Sequence, residues 1–432
     1  MVEKCILEWL GSIPSHWDIQ KGKFVFKQRN SKGNSKNLEL LSPTQKYGVI
    51  PQMKYEELTG MGAVKLNDKI DLNGLKTICK GDYCISLRSF QGGFEYSQYE
   101  GVVSPAYQVF YATIPINEGY YRYLFKDKCF IDKMNSYTMS LRDGKNISFT
   151  DFGNTYLPVP PLDEQNRIAE FLDDRCTEID AISSEIQEQI NTLEEYKKSV
   201  ITDAVTKGLN PNVEMKDSGI EWIGQVPKDW TSTRLGVSSW VRARLGWKGL
   251  RAEEYVDEGH PFLSAFNIVN NKVSWESLNY INDERYDESP EIKLSIGDII
   301  IVKDGAGIGK CARINSLPLG TATTNSSLGV ITTRNRLSNL YLYYYLQCAV
   351  FQNLIFRMIN GMGVPHLTQE TLRKIVIPLP TLEEQRQITE YLDSKCAEID
   401  GAIEDKQKQF ETLEDYKKTL IYEYVTGKKV VA

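Results

Sequence analysis

Apolar residues recur at a seven-residue interval through one long stretch of the chain. The stripe consists of Leu172, Ile179, Ile186, Leu193 and Val200. Residues at this spacing lie along one side of an α-helix and form the seam of a coiled coil. The pattern therefore predicts a single helix over residues 162–207, about 70 Å long at 1.5 Å per residue.

A second stripe follows 220 residues later and copies the first. The segment PLDEQNRIAEFLD from Pro161 returns as TLEEQRQITEYLD from Thr381. The second seam places Lys406 at one of its positions and keeps apolar residues at the others, which are Leu392, Ile399, Leu413 and Leu420. The repeat predicts a second helix of the same kind.

The ends of the two helices carry their own signals. Thr381 and Glu384 have the spacing of a capping box, and Asp163 and Glu164 suit the positive end of the first helix. Gly208 is placed to end that helix. One alternative is that each stripe packs on its own neighbouring domain and not on the other helix. Matching heptads in two long copies favour instead an antiparallel coiled coil between the two helices.

Each helix is preceded by a divergent segment, here called a variable segment, that follows a short marker. LEWLGSIPSHW at Leu7 matches IEWIGQVPKDW at Ile220. The variable segments, roughly 12–156 and 225–376, contain apolar runs typical of strands, at 83–87 and 298–302, that follow a Gly-Asp pair in both cases. YLYYYL from Tyr341 indicates part of a helix. The order of marker, variable segment and helix occurs twice, which predicts an internal duplication.

These elements predict an α+β (mixed α/β) fold. Two pseudo-symmetric globular domains are expected, joined by two long helices that form an antiparallel coiled coil. The predicted limits are 1–156 for the first domain, 157–210 for the central helix, 211–376 for the second domain and 377–432 for the C-terminal helix.

Charge is distributed unevenly over this plan. The net charge of −6 by itself argues against a nucleic-acid binder. The acidic excess lies in the helical segments, with 5 basic and 12 acidic residues in 157–210 and 8 and 12 in 377–432. The first domain has 20 basic and 16 acidic residues and the second has 18 and 17. Two neutral to basic domains therefore remain available for nucleic acid.

The cysteines and histidines predict neither a disulfide framework nor a metal site. The eight cysteines are scattered without a Cys-x-x-Cys pair, and the three histidines, at 16, 260 and 366, are far apart. The sequence also lacks the pattern of a secretion signal and any apolar run of membrane-spanning length. We therefore expect a cytoplasmic protein with no membrane segment.

The motifs that suggest catalysis fail on spacing or context. GAGIGK from Gly305 lacks two positions of a phosphate-binding loop, where Asp304 and Cys311 stand instead, and a tight turn with glycines at positive φ is the simpler interpretation. Acid-x-Lys triplets begin at 195 and 415 on the long helices and at Glu291, where Lys293 completes the triplet without an obvious acidic partner. Methyltransferase motifs are absent. We predict no catalytic, cofactor-binding or metal-binding residue in this chain.

Three segments combine basic, aromatic and amide side chains: SLRSFQGG from Ser86, SLRDGKN from Ser140 and WVRARLGWKGLR from Trp240. Arg and Lys contact phosphates or guanine, and Asn and Gln read adenine. A solvated surface is the alternative for any one segment, but their occurrence in both variable segments favours DNA. The predicted DNA contacts are Arg88, Gln91, Arg142, Lys145 and Asn146 in the first domain, and Arg242, Arg244, Lys248, Lys303 and Lys310 in the second.

This layout resembles the specificity (S) subunit of Type I restriction-modification enzymes. The resemblance covers nearly the whole chain and rests on the EWxGxxPxxW markers from Glu8 and Glu221, the helix starts at Pro161 and Thr381, and the Gly-Asp pairs at Gly81 and Gly297. The second helix start has threonine where the first has proline. The capping-box spacing at Thr381 still suits a helix start.

The resemblance implies two target-recognition domains, each reading one half of a bipartite double-stranded DNA site. It implies two modification (methyltransferase) subunits docked on the helices, and restriction (translocase and nuclease) subunits joined to that core. S-adenosylmethionine, ATP and magnesium (Mg) would bind those partners rather than this chain. Two other functions stay open: a self-contained DNA methyltransferase or nuclease using Glu291, Lys293 or Lys310, and a structural coiled-coil tether with no sequence preference.

Overall fold

A computed structural model of the chain forms two compact units. It describes residues 6–7, 9–33, 38–60, 62, 74–86, 93–137, 147–244, 250, 252–305, 307–360 and 366–431. The first unit comprises Met1–Gln187 and Lys408–Ala432, and the second comprises Glu188–Gln407. Each unit contains one variable segment, the first part of the long helix that follows it and the last part of the other long helix. The four-part division predicted from the sequence stays a prediction.

Before the first long helix, the residues that the structure describes form short strands and short helices. The strands are β1 Ile6–Leu7, β2 Gly11–Ser12, β3 Asp18–Lys21, β4 Phe26–Gln28, β5 Leu41–Thr44, β6 Gly48–Pro51, β7 Lys76–Ile78, β8 Tyr83–Ile85, β9 Phe94–Tyr96, β10 Gly101–Val103, β11 Gln108–Ala112 and β12 Tyr156–Val159. The helices are α1 Gly22–Val25, α2 Gln52–Thr59, α3 Glu118–Leu124, α4 Lys128–Ser136 and α5 Phe149–Asn154.

A four-stranded antiparallel sheet, in the order β4-β11-β8-β9, organises this part of the first unit. One of its faces packs on an aromatic core that includes Phe26, Tyr83, Phe110, Phe125 and Phe152, all of them fully buried. Edge-to-face ring contacts such as that of Phe26 with Phe110, 5.4 Å between centroids, add to the burial of apolar area. Two-stranded ladders β10-β7, β5-β6, β12-β3 and β1-β2 complete the strands.

The two long helices begin where the sequence predicts. The first, α6, spans Leu162–Lys207, which matches the predicted limits of 162 and 207. The second, α12, spans Leu382–Val425, and the hydroxyl of Thr381 accepts the backbone N–H of Glu384 at 3.3 Å. The seven-residue period therefore predicted the type of both helices, and the predicted limits of α6 and the predicted start of α12 are confirmed.

Between the two long helices, the described residues form a second set of short strands. They are β13 Met215–Asp217, β14 Gln225–Pro227, β15 Thr231–Arg234, β16 Ser239–Arg242, β17 His260–Leu263, β18 Ile268–Val269, β19 Lys272–Val273, β20 Asn279–Ile281, β21 Ile299–Val302, β22 Cys311–Arg313, β23 Thr323–Thr324, β24 Leu328–Thr333 and β25 Val376–Leu379. The helices are α7 Leu235–Ser238, α8 Asp283–Asp287, α9 Asn339–Gln347, α10 Ala349–Asn360 and α11 Gln369–Lys374.

The main sheet of the second unit has the order β16-β24-β21-β22, which is the order of the first sheet with each strand replaced by its counterpart. Its centre, β21, is buried throughout. A three-stranded sheet, β20-β17-β23, adds the parallel pair β17 and β23. The shared strand order shows that the duplication extends through the variable segments, and the predicted strands near 83 and 299 and the helix at 341 are confirmed.

The long helices pair antiparallel inside each unit. In the first unit the Lys417 ammonium donates a hydrogen bond to the Asp180 carboxylate at 2.5 Å. The ring centroids of Phe171 and Tyr424 lie 4.5 Å apart. In the second unit Lys197 donates to Asp400 at 2.6 Å. Lys417 and Asp400 are the repeat counterparts of Lys197 and Asp180, so the duplication has preserved one interhelical ion pair in each unit.

The predicted seam is largely buried. Leu172, Ile179, Ile186, Leu392, Ile399 and Leu420 are buried, whereas Leu193, Val200 and Leu413 are half-buried. Leu172 and Ile179 belong to the same core as the aromatic side chains of their variable segment, so each seam packs both on the neighbouring domain and on the other helix. The α12 helix continues through Lys406, whose side chain is half-buried.

No described helix combines the length and apolar character that crossing a membrane requires.

Candidate nucleic-acid interface

The Gly-Asp pairs build the same buried turn in both units. Gly81 and Gly297 have φ values of +91° and +94°, a left-handed conformation that glycine adopts without a steric cost from Cβ. Asp82 Oδ2 accepts the backbone N–H of Cys79 at 2.8 Å, and Asp298 Oδ2 accepts that of Ser295 at 2.9 Å. Each turn therefore presents a buried carboxylate at the start of the central strand, β8 or β21.

An arginine from the edge strand neutralises each of these carboxylates. Arg29, just after β4, donates to both oxygens of Asp82 at 2.6 and 2.9 Å, and the carboxylate raises the pKa of the guanidinium. In the second unit Arg242 Nη2 donates to Asp298 Oδ2 at 2.7 Å. Thr332 joins this network through contacts with both partners. Buried charges of opposite sign are tolerated when paired in this way.

Arg242 and Arg244, both predicted to contact DNA, lie inside the second unit. Only 5% of either side chain is exposed, because Arg242 pairs with Asp298, and Arg244 lies 3.7 Å from Glu288. Both side chains are enclosed in the fold, and the structure gives no support to their use as DNA contacts. The counterpart of Arg242 in the first unit is Arg29, which the sequence did not single out.

The repeated helix start ties each long helix to its variable segment. Gln165 Nε2 donates to the carbonyl of Pro160 at 2.8 Å, and its Oε1 accepts the N–H of Asn117 at 2.9 Å. Gln385 makes the matching bonds to Pro380 and Ser338. Both glutamines are buried. The glutamine shared by the two helix starts thus fixes the helix against the start of α3 or α9.

Each marker packs against the C-terminal end of a long helix. The first marker contacts the end of α12, and the second contacts the end of α6. In the first unit Tyr120 donates to the carbonyl of Val425 at 2.8 Å, and Gly427 lies against Pro14 and Trp17. In the second unit Tyr341 donates to the carbonyl of Val205 at 3.0 Å. Gly208 lies there against Pro227 and Trp230. We call these two arrangements the helix sockets, and they account for the tryptophan and proline of the EWxGxxPxxW markers.

Four strand ends and the segments attached to them form one end of each main sheet, called here the loop end. In the second unit it comprises the C-terminal ends of β16 and β21 and the N-terminal ends of β22 and β24, because neighbouring strands are antiparallel. Leu367 donates its N–H to the carbonyl of Lys303 at 2.9 Å, which brings the segment at 366–367 to the same end. The loop end therefore collects side chains from four separate segments.

Lys303 and Lys310, two predicted DNA contacts, both lie at this loop end. Lys303 follows β21 directly, and only 7% of the residue is exposed. Burial lowers the pKa of its ammonium. Lys310 precedes β22 and is exposed. The other predicted contact of this unit, Lys248, lies outside the described residues.

The loop end of the first unit is formed by the counterpart strand ends of β4, β8, β9 and β11. Ser86, after β8, donates its N–H to the carbonyl of Gly93 at 2.6 Å. Gln108 Nε2 donates to the carbonyl of Ile147 at 3.0 Å. The described residues that flank 87–92 and 138–146 are thus at this end, whereas the predicted contacts themselves, which are Arg88, Gln91, Arg142, Lys145 and Asn146, lie outside the described residues.

The glycine-rich segment after β21 is a turn between strands, as the simpler interpretation held. Gly305 and Gly309 have φ values of +84° and +89°, and Gly309 donates its N–H to the carbonyl of Val302 at 3.0 Å. The lysines of two acid-x-Lys triplets form the interhelical ion pairs described above. In the third, Lys293 pairs with Asp287 at 2.5 Å. No group of three or more potential metal ligands occurs among the residues that the structure describes.

The sequence did not single out three residues at or beside the loop end of the second unit, which are Asp304, His366 and Phe266. Asp304 contacts His366 through Nδ1 of the imidazole. Phe266 belongs to a turn that follows β17, and its side chain is 93% exposed. Asn325 donates its N–H to the carbonyl of Leu263 at 2.8 Å, which places that turn beside the loop end. Phe266 and His366 do not lie in a segment rich in basic residues, so composition gave no signal for them.

Together the two units define a duplicated protein in which two sheets of one topology carry different loop ends on a shared helical scaffold. The family model described as Type I restriction modification DNA specificity domain matches residues 14–192 and 247–411, and the chain belongs to this family. The resemblance drawn from the sequence is therefore confirmed.

Individual relatives agree with this assignment. The chain is 30% identical over 299 residues to the Type I restriction enzyme MjaVIII specificity subunit of Methanocaldococcus jannaschii, covering 68% of this chain and 67% of that protein. It is 23% identical over 287 residues to the EcoBI specificity subunit of Escherichia coli, covering 63% and 58%. A chain solved in work on complex assembly and conformational transition of the type I R-M system shares the fold, with a TM-score of 0.71, 17% identity, and 97% and 100% coverage.

Proposed function

We propose that this chain is the non-catalytic DNA-specificity subunit of a Type I restriction-modification complex. The observation that carries the proposal is the contrast within the duplication. Both units keep the Gly-Asp turn with its arginine, the glutamine at the helix start and the helix socket, whereas the residues at the two loop ends differ. A retained scaffold with divergent loop ends suits two domains that perform one task on two different targets.

The task is reading the two halves of a bipartite DNA site, one at each loop end. Loop residues on a rigid sheet are the usual place for binding side chains. In the second unit Lys303 and Lys310 are the proposed contacts that the structure describes. In the first unit the proposed contacts remain Arg88, Gln91, Arg142, Lys145 and Asn146. The domain limits of 1–156 and 211–376 are retained as the proposed limits of the two readers.

The partners and cofactors follow from the same proposal. Two modification subunits dock on the exposed sides of α6 and α12, which carry an excess of acidic residues, and restriction subunits join that core. S-adenosylmethionine, ATP and magnesium bind those subunits. The chain acts in the cytoplasm, where its DNA target lies. The near-neutral readers suggest weak binding by the chain alone, because phosphate neutralisation supplies much of DNA affinity.

A self-contained methyltransferase or nuclease is the competing function. One of its candidate residues has structural partners: the Lys293 ammonium pairs with Asp287 and lies 4.1 Å from the centre of the Tyr286 ring. This packing explains the triplet at Glu291 without chemistry. The contacts of Lys293 therefore give the competing function no support.

The test is to assay methylation with the full chain and its modification subunit, separately and together. We expect methyl transfer from S-adenosylmethionine only for the complex, at one bipartite sequence. The double variant Glu291→Gln, Lys293→Met is the matched control and should methylate the same sequence in the complex. Methyl transfer by the isolated chain, or its loss from the complex in the control variant, would refute the non-catalytic assignment.

A further inference from the structure

A short turn after β17 adds an aromatic side chain beside the loop end of the second unit. Strand β17 runs parallel to β23, and the carbonyl of Leu263 at its end accepts the N–H of Asn325 at 2.8 Å. The chain after Asn325 reaches Ser327, whose carbonyl accepts the N–H of Lys303 at 2.7 Å, and then enters β24. The end of β17 therefore lies beside the ends of β21 and β24, and the turn at Ala265–Asn267 comes next in the chain.

The backbone of this turn is fixed on both sides. Asn267 Oδ1 accepts the N–H of Ser264 at 2.9 Å, and the N–H of Asn267 donates to the carbonyl of Ser264 at 3.0 Å. The carbonyl of Asn267 accepts the N–H of Ser274 at 2.8 Å. Leu263 before the turn and Ile268 after it are buried in the same apolar core. A ligand that meets the turn therefore has little backbone entropy to remove.

Phe266, in the middle of the turn, points away from the chain. It is 93% exposed, which is the largest fraction among the large apolar side chains that the structure describes, and Met53 follows at 70%. Near it in the chain, Asn267 is buried and Val269 is 51% exposed. One ring with a half-exposed valine is smaller than the apolar patches of several hundred Å² that mark protein docking sites. The ring therefore suits a small apolar group within a surface that is otherwise polar.

Duplex DNA offers such a group in its major groove. The C5-methyl group of thymine projects there, whereas the other groups that distinguish the base pairs are hydrogen-bond donors and acceptors. A phenylalanine ring can contact this methyl group while the bases stay stacked, and insertion between bases would add the cost of unstacking them. Lys310, which is exposed at the same loop end, suits a phosphate and would hold this end on the duplex.

We propose that Phe266 contacts the C5-methyl group of one thymine in the half-site read by the second unit. The contact favours an A·T pair in one orientation at that position, because only thymine carries the methyl group. This inference rests on the proposed function, since it requires that the second loop end meets DNA.

The test measures binding of the full chain, in complex with its modification subunit, to synthetic duplexes that carry its bipartite site. Each thymine of the site is replaced in turn by deoxyuridine, which lacks only the methyl group. At one thymine, in one half-site, deoxyuridine should weaken binding by the unmodified chain roughly threefold to tenfold, the range for the loss of one buried methyl group. Phe266→Ala should weaken binding to the thymine duplex and should bind thymine and deoxyuridine equally at that position.

Phe24→Ala is the matched control. Phe24 is 61% exposed and lies in α1, which precedes β4 and so stands at the end of the first sheet opposite its loop end. This variant should respond to deoxyuridine as the unmodified chain does. If no thymine of the site responds in the unmodified chain, or if Phe266→Ala keeps the full response at every thymine, Phe266 does not contact a thymine methyl group.

Two further measurements exclude other roles of the ring. A rise in the fluorescence of 2-aminopurine placed beside the responding thymine, seen on binding and lost in Phe266→Ala, would show insertion between bases and overturn the inference. The melting temperature of Phe266→Ala should not fall, because the ring is exposed, and a fall with an unchanged deoxyuridine response would show a structural role only. Absence of any bipartite sequence preference with the unmodified chain would instead refute the proposed function.

Discussion

Asp298→Ala is expected to destabilise the second unit by about 3–5 kcal/mol, the cost of leaving a buried charge without its partner. Asp298 is 1% exposed and pairs with Arg242, which is 5% exposed in its side chain. Nε of Arg242 already lacks a hydrogen-bond partner. Removing the carboxylate would leave the guanidinium with Thr332 and the Lys293 carbonyl as its remaining acceptors.

The loss of stability should be measured in the second unit itself, because a chain with two units is not expected to unfold in one step. Hydrogen exchange of β21 and β24 reports the second unit, and exchange of β8 and β11 serves as the internal reference. Asp82→Ala in the first unit should cost less, since the Arg29 side chain is 24% exposed and water can solvate it. Replacing both charges, as Arg242→Met with Asp298→Leu, should recover most of the stability. Equal protection in Asp298→Ala and the unmodified chain would contradict the buried-pair account.

Gly427→Ala is expected to destabilise the first unit by about 2–4 kcal/mol, since a side chain there meets both backbone strain and a steric clash. Gly427 has a φ of +68°. A Cβ would lie 2.4 Å from Cδ and Cγ of Pro14 and 3.0 Å from Cη2 of Trp17. A proline ring and a buried indole cannot move aside at low cost, so the helix end should be displaced from its socket.

Gly60→Ala separates the two causes. Gly60 has a φ of +64°, and nothing lies within 4 Å of a Cβ built on it. This variant should therefore show the backbone cost alone, about 1–2 kcal/mol. Hydrogen exchange of β8 and β11, with β21 and β24 of the second unit as the internal reference, provides both values. If the two variants lose the same amount of stability, the helix socket does not constrain the end of α12.

The long helices were predictable because their signals are local. A seven-residue period and a proline or capping threonine predicted the type of both helices, and Gly208 predicted the end of the first within one residue. The Gly-Asp pair was visible in both repeats, but its role was not. Its partner Arg242 lies 56 residues away from Asp298 in the chain. Only the pairing of β16 with β24 and of β24 with β21 brings the two together.

The same limit explains the mixed outcome at the candidate interface. Arg242 and Lys303 are both basic residues at strand ends, and their sequence surroundings do not distinguish them. The fold does, because Arg242 has a buried carboxylate partner, whereas Lys303 has none among the residues that the structure describes. Asp304 and His366 were missed because their contact joins segments 62 residues apart. Residue type alone predicted both as DNA contacts, and the tertiary contacts show that Arg242 is engaged inside the fold.

An exchange of one reader tests the central claim most directly. Residues 211–376 would be replaced by the corresponding segment of another family member with a different, known target, keeping both long helices. Methylated positions would then be mapped for the complex with the modification subunit. The account predicts that one half of the bipartite sequence changes to that of the donor while the other half stays the same. A change in both halves, or in neither, would contradict the assignment of one half-site to each unit.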